Sequence, residues 1–274
     1  GANLTGANLS RTFLTKSNLS GAFLNWANLS FVKLSEGELT DADLTKANLN
    51  GAFMVKSNLT KAKLSGANLT GVNLRGANLE KSNLCGANLQ GINLRGANLN
   101  GANLNWANLS GARLSGATLY GTFLNGVNLS EAFLNGVDLN GVDLNGANLS
   151  EAKLSGTQLQ VANLAASNLS EAQMRGVNLM EADLTGADLT RASLKKANLK
   201  WANLTKADLR EANLSEANLL GAKIDGAEFT GVTMPDATRR YLCAIAKGST
   251  AWTCQETKAT LNCAPNFAIQ AVVN

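Results

Sequence analysis

Histidine is absent from all 274 residues of this chain. That absence removes the imidazole base of a hydrolytic triad, the His-ligated catalytic metal and the usual proton shuttle of enzymes working near neutral pH. Proline is scarce at two residues and aromatic side chains make up only 5%, so the 45% hydrophobic content must fill a core with Leu and Ala. Charged residues reach 16%, against roughly 25% in ordinary soluble domains. The 24 basic and 20 acidic side chains are scattered, for a net charge of +4, which suits neither a nucleic-acid-binding arm nor a polyanion mimic. There is no apolar run of about eighteen residues to read as a transmembrane helix. Nor is there a Gly-x-Ser-x-Gly elbow, a phosphate loop or a dinucleotide fingerprint. The first residues, Gly1-Ala2-Asn3-Leu4, already belong to a repeat, as expected of a mature form or a fragment.

What the chain has is a clock. Every fifth residue from Leu4 to Met234 is apolar, 47 times without an insertion, and 42 of these are leucine. The residue two places earlier is small, as at Ala2, Ala7, Thr12 and Ser17, with Ile92 the largest exception. A period of five matches neither the helix nor the strand, so a short unit is copied along a line, which is a solenoid. Two inward residues separated by one outward residue suit a short extended side, and Gly21, Gly66, Gly86, Gly96 and Gly101 mark the turns between sides.

The motif Ala-Asn/Asp-Leu-x-x, written Ala2-Asn3-Leu4-Thr5-Gly6 and again Ala107-Asn108-Leu109-Ser110-Gly111, resembles the pentapeptide repeat family over residues 1 to about 235. The resemblance implies an all-β solenoid, a right-handed quadrilateral β-helix with four pentads per coil. On that reading 47 pentads make about twelve coils and a rod on the order of 55 Å long. The expected division is a β-helix over 1–235 and a helical cap and tail over 236–274.

With twenty residues per coil, columns emerge. Asn8, Asn28, Asn48 and their successors to Asn168 form a ladder that turns acidic at Asp188, Asp208 and Glu228, read here as structural bonding to turns and to neighbouring copies. Glu131, Glu151 and Glu171 stack with Arg191 and Glu211; Lys153, Arg175 and Arg191 are expected to neutralise them, leaving no metal site. Asp138 and Asp143 fall on adjacent sides and read as separate surface acids.

At Met234-Pro235 the clock stops. Asp236 is the expected N-cap of a helix burying Leu242, Ile245 and Ala246, with Lys247 and Gly248 at its end, laid across the last coil. Three cysteines, Cys243, Cys254 and Cys263, fall in this region, and a disulfide suits them better than zinc, since Cys85 lies many coils away. The run Gly221-Ala222-Lys223-Ile224-Asp225-Gly226-Ala227-Glu228-Phe229, then Cys243-x-x-Ala246-x-Gly248, Thr253, Thr257, Leu261 and Cys263, resembles the C-terminal cap of thylakoid-lumen pentapeptide repeat proteins. The resemblance implies a Cys243–Cys263 bridge, with Cys243–Cys254 the alternative, and an oxidising compartment.

Function has to lie on the outside, because a leucine-filled interior leaves no cavity. The expectation is a non-catalytic interaction scaffold with no cofactor, no metal, no nucleic acid and no small-molecule substrate. It sits in the thylakoid lumen, where it docks peripherally to a photosynthetic membrane complex. Phe13, Phe31, Phe53 and Val55 form the expected apolar patch for a protein partner near the first coils. A DNA-mimicking topoisomerase inhibitor, known among pentapeptide repeat proteins, needs a strongly negative surface, whereas Arg11, Lys33, Arg75, Arg95, Arg113, Lys153 and Arg175 make one side basic. An ice-binding face needs a regular Thr ladder, which the column Thr5, Asn25, Thr45, Ser65, Cys85 does not supply.

Overall fold

The computed structural model describes residues 1–263; the last eleven residues of the expected tail, 264–274, lie outside the described residues. The pentad dictates the local geometry. Its small residue and its leucine flank one outward residue, and that residue makes a parallel bridge to its counterpart twenty positions on, from Asn3 with Phe23 to Asn213 with Thr233. A turn follows each leucine: Ala7 N donates to Leu4 O at 3.0 Å, and the third turn residue, Gly6, has φ of +66°. That left-handed backbone at the third position is what a type II turn requires. Four such sides and four turns make one coil of twenty residues.

Each side holds a single bridged residue, so the coils are stacked sides rather than sheets of long strands. Many corners carry an L-residue at positive φ, among them Glu131, Arg191 and Trp201. Each pays a steric penalty of roughly 1 to 2 kcal/mol, offset by backbone bonds to the coils on either side. Leu24 through Leu214 are buried within a few per cent, packed against the small residues, while Leu4, Leu9, Leu14 and Leu19 in the first coil are only partly covered.

The asparagine column bonds in two directions. Asn48 Oδ1 accepts from Asn50 N (3.2 Å), and Asn68 Nδ2 donates to Asn48 Oδ1 (3.3 Å); the same pair of bonds recurs at Asn128 and Asn148. The ladder of bridges fails at one place only among the described residues: Thr118 does not bridge Asp138, and Phe123 does not bridge Asp143.

Helix α1, Asp236–Ile245, closes the C-terminal end. Its N-cap is Pro235, not the expected Asp236, and no side chain caps it. The extended backbone of Pro235 (φ −64°, ψ 146°) places Asp236 inside the first turn, where its charge favours the positive helix end. Lys247 lies beyond the last turn and serves through its backbone, its carbonyl accepting from Gly226 N at 2.9 Å. Leu242 and Ala246 are buried and Ile245 partly so, and Tyr241 Oη accepts from Gly221 N at 2.9 Å, which lays α1 over the last coil. A one-turn helix α2, Thr257–Thr260, follows, and Thr260 Oγ1 accepts from Phe229 N at 3.1 Å. Cys243 and Cys263 are disulfide-bonded with Cα atoms 5.7 Å apart, while Cys85 and Cys254 are free thiols.

Candidate functional site

The outward position of a pentad is solvent-facing by construction, so a large apolar side chain there is left over from folding. Phe13 is 84% exposed, Phe31 45% and Phe53 42%, and Val55 is half-buried. The stacking keeps Phe13 and Phe53 in one column, as expected, and sets a cation between the two rings. Phe13 bridges Lys33 and Lys33 bridges Phe53, so a lysine stands between the two rings in one column. Lys33 Nζ lies 3.3 Å from the Phe53 ring centroid, and Arg11 Cζ lies 5.7 Å from that of Phe31. The surface is therefore alternately aromatic and cationic, not the apolar patch expected from Phe13, Phe31, Phe53 and Val55 alone. The signal was present in the sequence, since Lys33 lies twenty residues from both rings.

Phe31 illustrates how corner aromatics are held. Its ring lies over the corner of the next coil, where the residue is Gly51; a Cβ added there would come within 2.6 Å of the ring. Trp106 over Gly126 and Trp201 over Gly221 repeat the arrangement, and Trp26 instead faces Lys46, whose Nζ is 4.5 Å from the ring centroid.

The stacked acids do not form an isolated carboxylate group. Arg191 bonds Glu211 through Nε at 2.9 Å and approaches Glu171 at 3.7 Å, and the Glu211 hydrogen bond raises the guanidinium above its ordinary value. Lys153 and Arg175, expected to share this task, make no ion pair among the described residues. Among those residues, no group of three His, Cys, Asp or Glu side chains converges as a metal site.

Towards the cap, the last two acids of the asparagine column, Asp208 and Glu228, are buried and hydrogen-bonded. Asp208 meets Arg210 at 2.6 Å, and Glu228 accepts from Thr230 N, Thr230 Oγ1 and Thr253 Oγ1. Burial opposes the charge on Glu228, yet the hydrogen bonds from Thr230 and Thr253 outweigh it and hold the carboxyl below its ordinary value. Through Thr253, Glu228 ties the last coil to the segment that follows α1.

The described surface thus presents exposed aromatic rings beside cations and paired acids. The family model for pentapeptide repeats matches residues 1–35, 38–76, 77–116, 107–146, 124–160, 157–195 and 192–231. Proteins of this kind fold as right-handed quadrilateral β-helices and act as non-catalytic interaction scaffolds. Among solved structures, a pentapeptide repeat protein involved in heterocyst differentiation regulation, HetL from the cyanobacterium Nostoc sp. strain PCC 7120, is 34% identical. It covers 85% of this chain and 91% of its own, with a TM-score of 0.30. A pentapeptide repeat protein of the Arabidopsis thaliana thylakoid lumen is 38% identical over 47% of this chain and 90% of its own, with a TM-score of 0.32. Rfr23 from the cyanobacterium Cyanothece 51142 is 34% identical over 44% and 89%, with a TM-score of 0.33. Superpositions at these scores add nothing to the repeat match. No curated protein matches the chain.

Proposed function

Because the chain belongs to the pentapeptide repeat family, whose rods leave only an outer surface for biology, we propose that it is an interaction scaffold of the thylakoid lumen. It docks peripherally to a photosynthetic membrane complex through its first three coils. The observation that carries the docking reading is the exposed aromatic and cationic column Phe13, Lys33, Phe53 with Arg11 and Phe31 beside it. Aromatic rings and arginines are the side chains that dominate protein interfaces once water is excluded, and here they stand on a rigid frame that pays little ordering entropy on binding. Attachment is peripheral on this reading, since no helix among the described residues is long and apolar enough to cross a membrane.

The lumen assignment draws on the Cys243–Cys263 bridge, which a reducing cytosol would not maintain, and on the sequence pattern around it. The test is co-migration with thylakoid complexes on native gels after mild detergent extraction, comparing the full chain with a Phe13→Ser/Phe31→Ser/Phe53→Ser variant. Retention of the parent and loss of the variant are expected. Equal behaviour of the two, or migration of the parent as a free monomer, counts against docking through these coils.

A further inference from the structure

The two missing rungs lie side by side. In the regular coils around them, Leu99 N donates to Thr118 O and Leu139 N donates to Gln158 O, each at 2.8 Å. Between those coils the amides of Leu119, Leu124, Asp138 and Asp143 have no backbone acceptor among the described residues. The other two sides of the same coils stay closed, through Arg113 with Phe133 and Asn128 with Asn148. The stack has parted on two of its four sides.

The opening reaches the core. Ala117 and Val142 are each 7% exposed where most inward residues are sealed. Between the parted coils lies a cavity of 430 Å³, walled by Asn100, Leu119, Tyr120, Asp138, Asn140 and Val142. Tyr120 in its wall is exposed, as is Phe123 on the adjacent side.

The structure contains its own controls for the cause. Phe23 bridges Asp43 with alanines inward on both coils, so an acid stacked on an aromatic does not by itself break a rung. Asn73 bridges Asn93 with Val72 and Ile92 inward, so neither does a bulky inward pair. At Phe123 and Asp143 both departures coincide, because the inward pair is Thr122 and Val142. Thr122 Oγ1 donates to Leu99 O of the preceding coil at 3.0 Å, but Thr157 makes the same bond to Leu134 O beside closed rungs, so that bond is not the cause. Inward crowding parts the coils at Phe123 and Asp143, the opening runs on to the adjacent side where Ala117 and Val137 are inward, and Asp138 and Asp143 both lack the amide donor by which Asn98 holds Asn78 (3.1 Å).

Over the two open sides, residues 98–106, 118–126, 138–146 and 158–166, the only charged side chains are Asp138 and Asp143. The basic residues Arg113 and Lys153 lie on the next side. We infer that these parted coils are a docking edge for an extended, lysine- or arginine-bearing segment of a partner protein. The segment's main chain pairs with the free amides of Leu119 and Asp138 along one open side, its basic side chains meet Asp138 there and Asp143 around the corner, and its apolar side chains cover Leu119 and Val142. Buried backbone groups need partners, strand addition supplies them along an edge, and the period of two separates the charged from the apolar contacts. The volume would also suit a small molecule, but the unpaired amides of Leu119 and Asp138 in its wall favour a strand.

The probe is a fluorescent ten-residue peptide alternating valine and lysine, titrated against the full chain at physiological salt beside its valine–glutamate counterpart. The lysine peptide is expected to bind, the glutamate peptide not to, and Asp138→Asn/Asp143→Asn to weaken binding at least about tenfold. A second variant, Thr122→Ala/Val142→Ala, is expected to close the rungs, slow hydrogen exchange at Leu119 and Asp138, and abolish binding. Slow exchange of Leu119, Leu124, Asp138 and Asp143 in the free parent, matching Leu99 and Leu139, overturns the inference. So does no binding, equal binding of both peptides, or unchanged affinity in the Asn variant. This edge is separate from the first three coils, so peptide binding and the co-migration assay succeed or fail independently.

Discussion

Placing alanine at Gly51 separates two penalties that a corner position combines. The first is conformational: Gly51 has φ of +64°, and an L-residue held there costs roughly 1 kcal/mol. The second is contact, because the new Cβ would lie 2.6 to 2.8 Å from the Phe31 ring, which has to lift off the corner. Phe31 is 45% exposed, so about half of its side chain is covered. An aromatic buries roughly 150 to 250 Å² when fully enclosed, and losing about 50 Å² of that cover costs about 1.3 kcal/mol at roughly 25 cal/mol per Å². Gly51→Ala is therefore expected to cost about 2 to 2.5 kcal/mol, and Gly71→Ala, whose φ is +65° with nothing within 4 Å, about 1 kcal/mol. Adding Phe31→Ala should relieve the second penalty and return Gly51→Ala to the cost of the control. Denaturant midpoints report the totals, and hydrogen exchange at Gly51 N, bonded to Thr70 O, reports the local opening, which matters because long solenoids need not unfold in one step. Equal costs at Gly51 and Gly71, or no relief in the double variant, would refute the reasoning.

Cys243→Ser opens a loop whose ends are 20 residues apart, worth roughly 3 kcal/mol, so α1 should become protease-sensitive while the coils stay intact on limited digestion. Alkylation of Cys254 in the folded chain, by contrast, should leave the melting temperature unchanged, as read by mass spectrometry and calorimetry. Glu228 titrates lower in the folded chain than its ordinary value of 4.5, so its contribution is present above that value and lost as pH falls through the lower folded one. Acidification below about pH 4.5 should loosen the cap, seen as faster exchange at Thr230 N, and Glu228→Gln should flatten that dependence. Ala107→Phe forces a ring into an inward position that is 1% exposed and should cost about 3 kcal/mol or more, a drop read in the urea midpoint.

The leucine clock made the solenoid legible because every pentad repeats one local solution, and Leu24 or Leu204 is buried for the same reason as its neighbours. The four-sided section was not legible from the period itself; the repeat motif implied it, and bridges twenty residues apart give it directly. At the cap the expected helix is present, but a single-residue detail decided its start. Pro235 already holds the extended backbone of an N-cap, so Asp236 is drawn into the first turn. Lys33 was legible as a basic residue and Phe53 as an exposed ring, yet their contact exists only once the chain is folded into columns.

The parted coils show what a linear reading omits. Asp138 and Asp143 looked like two unremarkable surface acids, and Thr122 and Val142 like ordinary small inward positions, since each substitution recurs elsewhere without consequence. A rung depends on two residues twenty apart facing outward and two facing inward, so its strength is a property of four positions taken together. Asp43 is tolerated because Ala22 and Ala42 leave the coils free to close, and Val72 under Ile92 is tolerated because Asn73 and Asn93 pull the coils together. Where neither compensation is available, at Thr122 with Val142 and Phe123 with Asp143, the same fold opens an edge. A rod whose core is sealed elsewhere thus parts at two adjacent rungs, without any residue type that its other coils do not also use.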